Sequence, residues 1–452
     1  MSKFTPIPSE ENILKTVWSI SWPMVSTYFL QSLVSIVDIK MVGALGQENI
    51  AALGLATSAI MVVLMSVMGL GTGTTALVAR YLGEGSTDKV GLIVRQSFLI
   101  SLVVALLLTA VGVFSAEAII RFTGGKEEVI TKGGDYFRIL SYGSIFMTGN
   151  LIVSAILLGL GKTKTNLQIL AVVNILNILG NYVLIYGVGP FPRMEIKGAA
   201  TATVMARGVG LIWGFKVISS WGFGYQKFRQ IFELNKEYMK KIVSIGFPVA
   251  LDATNRRLQV TILNKILSYT AHGTKAISAY AVGLQAEAIS FMPGLAFHSA
   301  ATSLVAYNLG AKKPGRAEES SWAAVKFAAV LMSALGILLV TFSRQIIGFF
   351  TSDQTVITIG AHYLIVNGIA QPAIALNMVL SGAFRGAGDA RTPLWITISA
   401  LWGLRIPLAI LLGITFGLGS DGVWYAMLTS IAVSGVLTLT QFKKGNWARV
   451  SI

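Results

Sequence analysis

The chain contains no cysteine, so disulfides and thiolate metal sites are excluded, and cysteine usage says nothing about redox compartment. Its three histidines, His272, His298 and His362, are scattered without metal-ligand spacing. The glycine-rich stretches 69–73 and 382–388 lack both the Lys-Ser/Thr ending of a phosphate loop and its strand–turn–helix setting. Charge is scarce: 12% of the 452 residues are charged and 54% are hydrophobic, far from a soluble globular composition. The segment 1–11 is polar and mixed in charge, and does not read as a signal peptide. A net charge of +16 raises the question of nucleic acid. In a membrane chain its blander source is the basic excess of cytoplasmic loops, so no nucleic-acid partner is expected.

Long apolar runs are what the chain does have. Segments of about 20 residues, enough to cross a bilayer as helix, recur along its whole length. Twelve spans are expected, at roughly 14–44, 49–80, 92–115, 133–158, 165–187, 196–219, 239–270, 275–306, 320–343, 357–384, 392–416 and 421–442. The fold class is therefore an all-α polytopic membrane protein. Most loop Lys and Arg fall at the N-terminus, in the even-numbered loops and at the C-terminus, which predicts both termini in the cytoplasm.

The halves repeat. Ile20-Ser21-Trp22-Pro23 returns as Ile245-Gly246-Phe247-Pro248, Ala79-Arg80-Tyr81-Leu82-Gly83 as Ala306-Tyr307-Asn308-Leu309-Gly310, and the 159–165 segment as 386–392. The last two pairs share one offset. An N-lobe over 1–219, a cytoplasmic linker over 220–238 and a C-lobe over 239–452 with a short cytoplasmic tail follow. Six spans per lobe make the repeats parallel, related by a pseudo-two-fold axis along the membrane normal, with substrate between lobes that rock in alternating access. Pro23, Pro248, Pro293, Pro372 and Pro407 interrupt spans, and 69–73 with Pro293-Gly294 form paired weak points that serve either gating or packing.

Tyr28, Gln31, Ser35 and Asp38 fall on one helical stripe of the first span. A carboxylate in a bilayer centre costs at least ~2.5–3.5 kcal/mol, so Asp38 either faces a cavity as an ion- or proton-binding group or reaches interfacial water beside Lys40. Asn174, Asn177 and Asn181 share a face of the fifth span, and Thr201 and Thr203 open the sixth. Their hard oxygens, with one carboxylate, suit Na⁺ at Asp38, Asn177 and Asn181; equally, they can bond neighbouring helices. The second half carries Asp252, Asn255, Arg256, Arg257 and Lys265 in span seven, Glu287 in span eight and Arg405 in span eleven. Asp252 and Arg256 are one turn apart and either neutralise each other or leave an arginine for an anionic or zwitterionic substrate. The substrate cavity is thus expected to be lined by Tyr28, Gln31, Ser35, Asn174, Asp252, Arg256, Arg257, Glu287 and Arg405. The two-fold repeat argues against a membrane enzyme, and the lack of a carbonyl-filter motif against a channel.

Together, Ser35-Ile36-Val37-Asp38 with Met41-Val42-Gly43, the 306–310 motif with its basic follow-up, and the 385–393 segment from Arg385 to Pro393 resemble the multidrug and toxic compound extrusion transporters of the multidrug/oligosaccharidyl-lipid/polysaccharide superfamily. The resemblance covers nearly the whole chain. It implies export of cationic or amphipathic small molecules in exchange for H⁺ or Na⁺, without an organic cofactor. Asp38 matches that family's first-span aspartate and Asn177 its fifth-span asparagine. Asn181 stands where the family usually has a second aspartate, Arg256 near where span seven can carry a glutamate, and Ile374 near where span ten can carry an aspartate. The basic second half is more like the flippases of anionic lipid-linked precursors, though those usually have extra spans. The expected setting is a prokaryotic inner membrane, with membrane lipids as surroundings and the chain acting as a monomer.

Overall fold

A computed structural model describes residues 12–124, 126–222 and 233–450. The 1–11 segment, the middle of the expected linker and the last two residues of the tail lie outside the described residues. Among those described the fold is helical throughout, with no strand. Six spans come first: α1 (Ile13–Gly43), α2 (Gln47–Gly83), α3 (Thr87–Phe122), the pair α4 (Glu127–Tyr142) and α5 (Ser144–Gly159), α6 (Thr163–Tyr186) and α7 (Glu195–Ser220). Six follow: α8 (Lys236–Ser268), α9 (Gly273–Gly310), α10 (Pro314–Thr341) with the short α11 (Ser343–Gly348) after it, α12 (Gln354–Gly386), α13 (Arg391–Thr415) and α14 (Gly419–Lys443). Each expected span therefore falls on one helix, except the fourth, which falls on the bent pair α4 and α5.

The helices differ in how plainly they read as spans. Among the described residues nine are long and apolar enough by themselves, and α4 with α5, bent by 56° at Gly143, make a tenth. A Cβ on Gly143 would lie 2.2 Å from Val204, so the bend is also where α7 comes close. The 33-residue α8 is long enough but polar, because Asp252, Arg256, Arg257 and Lys265 interrupt its apolar run. Helix ends follow local chemistry. Gly187 closes α6 in the left-handed conformation at φ 71°, and Pro314 opens α10. Asp353 caps α12 by accepting from the amides of Thr355 and Val356 at 2.8 and 3.2 Å. The Lys275 ammonium beside it, with those amides, holds the Asp353 carboxyl below the usual carboxylate range.

Tertiary contacts divide the chain into two compact units, one around Trp22–Ala250, the other comprising Glu11–Ser21 and Leu251–Ile452. Lipid is as apolar as a leucine side chain, so close backbone approach at small residues must supply much of the packing. In the first unit, Gly69 and Gly73 let α2 meet α8: a Cβ there would fall 2.3 Å from the Gly246 carbonyl oxygen and 2.5 Å from that of Ile242. The glycines of α2 thus serve packing, and the helix runs through them unbroken. In the second unit α9 and α12 touch where a Cβ on Gly382 or Gly386 would meet the carbonyl oxygens of His298 and Thr302 at 2.2 and 2.3 Å. Gly336 and Gly368 join α10 to α12 in the same way. Helix α13 holds two π-helical stretches, Ser399–Arg405 and Leu411–Thr415, on either side of Pro407, whose missing N–H disturbs the α-ladder.

Candidate functional site

In the first unit α1, α4, α6 and α7 share a buried cluster that includes Val42, Tyr136, Ile185, Ala199 and Ala200. Gly180 against Ala202 and Gly198 against Leu184 draw α6 and α7 together. Asp38 is half-buried beside this cluster, five residues before α1 ends. Asn181 donates from Nδ2 to Asp38 Oδ1 at 2.6 Å, while its own Oδ1 is buried without a partner. Asn177, one turn earlier on the same face, donates to Thr203 Oγ1 at 3.0 Å, and Thr203 donates to the Ala199 carbonyl at 2.9 Å. Thr201 instead bonds Lys197 O at 2.9 Å within its own helix. Gln31 and Ser35 are exposed, Tyr28 is half-buried, and Asn174 Nδ2 is buried without a hydrogen-bond partner.

Two further groups act on Asp38 electrostatically. The Arg207 guanidinium of α7 and the phenol of Tyr136 on α4 lie within electrostatic reach of it and of each other. Arg207 was passed over in the sequence, although a lone arginine in the middle of an apolar span is a signal by which it can be found. Tyr136, an aromatic residue among aromatics, carried no such signal. The other acids nearby are taken up in ion pairs: Asp135 with Arg138 at 3.1 Å and Lys197 at 2.8 Å, and Glu117 with Arg138 at 3.1 Å.

The second unit holds a basic cluster. Asp252, 3% exposed, accepts at Oδ2 from Arg385 Nη2 at 2.8 Å and from Arg256 Nε at 3.3 Å, and its Oδ1 has no partner. Arg256 also donates to Thr397 Oγ1 at 3.1 Å and is half-exposed. His298 donates from Nδ1 to the Met378 carbonyl at 2.7 Å, which leaves Nε2 to accept from Arg385 at 3.4 Å. Asn255 accepts from Trp402 Nε1, and its buried Nδ2 is unpartnered. Arg257 is exposed. One carboxylate thus serves two guanidiniums, so the pairing of Asp252 with Arg256 leaves net positive charge. The sequence singled out Arg385 only as part of a motif near a helix end.

Glu287 and Arg405 stand elsewhere in this unit. Tyr363 donates to Glu287, Ser290 Oγ donates to the Glu287 carbonyl at 2.7 Å, and Arg405 Nε donates to Ser430 Oγ at 2.6 Å. The rings of Tyr280, Tyr363 and Trp424 close round this cluster at centroid distances of 5.0–5.5 Å. Glu287 and Arg405 are within electrostatic reach of each other, and each bonds a different side chain.

A Na⁺ ion prefers about six oxygen ligands. Asp38, the Asn181 Oδ1 and the Asn177 Oδ1 are the oxygens at hand, since Asn177 uses only its Nδ2 on Thr203; among the described residues no group of three or more His, Cys, Asp or Glu gathers anywhere.

Comparison with known proteins follows the same lines. The probable multidrug resistance protein NorM of Thermotoga maritima is 28% identical over 99% of this chain and 96% of its own. The uncharacterized transporter YisQ of Bacillus subtilis is 24% identical over 96% and 94%. Among solved structures, a superfamily transporter from Pyrococcus furiosus, described as having a binding pocket of reverse polarity, superposes with a TM-score of 0.88 at 22% identity, covering 98% of each chain. An outward-facing multidrug resistance MATE family transporter matches with the same TM-score, identity and coverage. The MatE family profile matches residues 23–183 and 258–411, and the chain belongs to that family of multidrug and toxic compound extrusion membrane transporters.

Proposed function

We propose that this transporter exports small amphipathic or cationic compounds by alternating access of an N-lobe (1–219) and a C-lobe (239–452), driven by return of H⁺ or Na⁺ through Asp38. The observation that carries this reading is a carboxylate within a membrane-spanning helix whose direct partner is the neutral amide of Asn181. A charge placed there is costly unless it is functional, and an amide neighbour leaves it free to take up and release a cation. The protein works as a monomer in a prokaryotic inner membrane with both termini in the cytoplasm, as its loop charges favour. The test is efflux of ethidium from proteoliposomes under an imposed pH or Na⁺ gradient. Wild type accelerates efflux under at least one gradient, and Asp38→Asn, similar in shape but unable to titrate, stays at the protein-free rate. Gradient-driven efflux at the wild-type rate by Asp38→Asn would move the coupling elsewhere.

A second reading rests on the basic cluster, in which Arg256 and Arg385 share Asp252 and Arg257 is exposed. It supports an anionic, lipid-like substrate, and the reverse-polarity pocket of the Pyrococcus furiosus relative is in keeping with it. Arg256→Ala would then change the preference between anionic and cationic cargo more than it changes expression. Unchanged preference would remove this reading.

A further inference from the structure

Residues 239–250 open the second half of the sequence repeat, yet they fall in the first compact unit, which runs from Trp22 to Ala250. What fastens them there lies on α2 and α3. Along α2, Gly69 and Gly73 admit α8 without bending their own helix. A Cβ on Gly69 would lie 2.3 Å from the Gly246 carbonyl oxygen and 3.1 Å from the Ala250 Cβ, and one on Gly73 2.5 Å from the Ile242 carbonyl oxygen. Gly246 returns the contact: a Cβ there would lie 2.9 Å from the Gly69 carbonyl oxygen. Nearer the helix ends a polar rim takes over. Lys241 donates to the Tyr81 hydroxyl at 3.2 Å and pairs with Glu237 at 2.9 Å, and the rings of Tyr81 and Tyr238 meet edge to face at 5.9 Å. Gln96 of α3, itself buried, donates from Nε2 to the Glu233 carbonyl at 2.8 Å and accepts from the Asn235 amide at 3.2 Å. This rim lies on the face that the loop charges assign to the cytoplasm.

We propose that this contact of α2 and α3 with residues 233–250 is the cytoplasmic gate of the transporter, closed in this structure and released and remade in each cycle, an inference that rests on the alternating-access reading. When the two halves of the repeat rock, the first turns of α8 either leave α2 with their own half or stay behind while α8 bends at Pro248. The make-up of the contact favours leaving. Its tightest part is backbone against glycine, so at Gly69, Gly73 and Gly246 there is no side chain to withdraw. The carbonyl oxygens of Ile242 and Gly246 sit within a continuous helix, whose own bonds persist as it moves off. The rim consists of hydroxyl, ammonium, carboxylate and amide groups, each able to exchange its partner for water on the cytoplasmic side, so opening strands no charge away from water. Glycine at the centre and exchangeable polar groups at the edge are what a contact needs in order to close tightly and still part.

The chain has no cysteine, so a thiol pair can be introduced without background. Tyr81→Cys with Tyr238→Cys is bridged by a short bifunctional methanethiosulfonate and released by dithiothreitol. Ethidium efflux from proteoliposomes is measured before bridging, after it and after release. Bridging is expected to stop gradient-driven efflux and reduction to restore it, while wild type ignores the reagent. Efflux by the bridged protein at the unbridged rate would overturn the proposal and leave the contact as permanent packing. Failure of the pair to bridge would overturn it as well.

A second measurement needs no transport. Ile242→Cys and Ile120→Cys place a thiol at two positions without exposed surface, one in the contact and one 24 residues beyond Gln96 on α3. Gly73→Ala is expected to raise maleimide labelling of the first about tenfold, which converts to about 1.4 kcal/mol against the closed contact, and to leave the second unchanged. Equal acceleration at both positions would mean general loosening of the fold, and no acceleration at either an immovable contact; each result overturns the gate. Absence of gradient-driven efflux from wild type would instead sink the alternating-access reading, while the labelling still decides whether the contact opens.

Discussion

A single carboxylate oxygen, Asp252 Oδ2, accepts from two arginines, and this makes Asp252 the residue on which the basic cluster depends. The side chain of Arg385 is 12% exposed, so without Asp252 it would be left charged, enclosed and facing His298 alone. Breaking a buried ion pair from one side costs about 3–5 kcal/mol, because the survivor loses its partner without regaining water. Asp252→Ala should therefore lower the thermal midpoint of the detergent-solubilised protein by several degrees. Arg257→Ala, at an exposed position, should change stability by no more than about 0.5 kcal/mol. Equal effects of the two would mean that Asp252 is not the hub. Much of this was legible beforehand and one part was not. The turn from Asp252 to Arg256 is a matter of spacing within one helix. Arg385, on α12, lies 133 residues away, and its bond to Asp252 on α8 is a tertiary fact that no spacing within one helix predicts. Asn181 was legible on its stripe with Asn174 and Asn177, but its bond to Asp38 spans 143 residues and is a tertiary fact.

Among the elements, the glycines separate into those that carry a helix contact and those that do not. A Cβ on Gly382 would overlap the His298 carbonyl oxygen at 2.2 Å, and backbone cannot step aside as a flexible side chain can. Gly54 on α2 has nothing within 4 Å of where its Cβ would be. Gly382→Ala should thus destabilise by about 1–3 kcal/mol through overpacking. Gly54→Ala should be neutral or gain up to ~1 kcal/mol from helix propensity. Thermal unfolding of the two variants side by side checks this, and a stable Gly382→Ala would show that α9 and α12 can separate without loss. Hydropathy made the spans legible because every helix that meets lipid must be apolar for about 20 residues. It could not show the use of Gly69 and Gly73. A glycine that bends a helix and one that admits a neighbour look alike in sequence, and only the carbonyl oxygens of Ile242 and Gly246 beside them decide for packing.

For the whole molecule, orientation in the membrane is the property on which every statement about direction of transport rests. Lys and Arg in short loops resist translocation, so the N-terminus, the even-numbered loops and the C-terminus are expected on the cytoplasmic side. The absence of cysteine turns this into a clean experiment, because any cysteine introduced is the only one in the chain. Lys313, between α9 and α10, and Lys444, just after α14, are exposed and lie in segments assigned to the cytoplasm. Val188, between α6 and α7, and His272, between α8 and α9, are exposed in segments assigned to the opposite face. A membrane-impermeant maleimide applied to intact cells should label Val188→Cys and His272→Cys. It should reach Lys313→Cys and Lys444→Cys only after the membrane is opened. Labelling of Lys444→Cys in intact cells would put the C-terminus outside and break the even count of spans. Reversal of all four would keep the count and invert the molecule, so that export through Asp38 would have to be read as uptake.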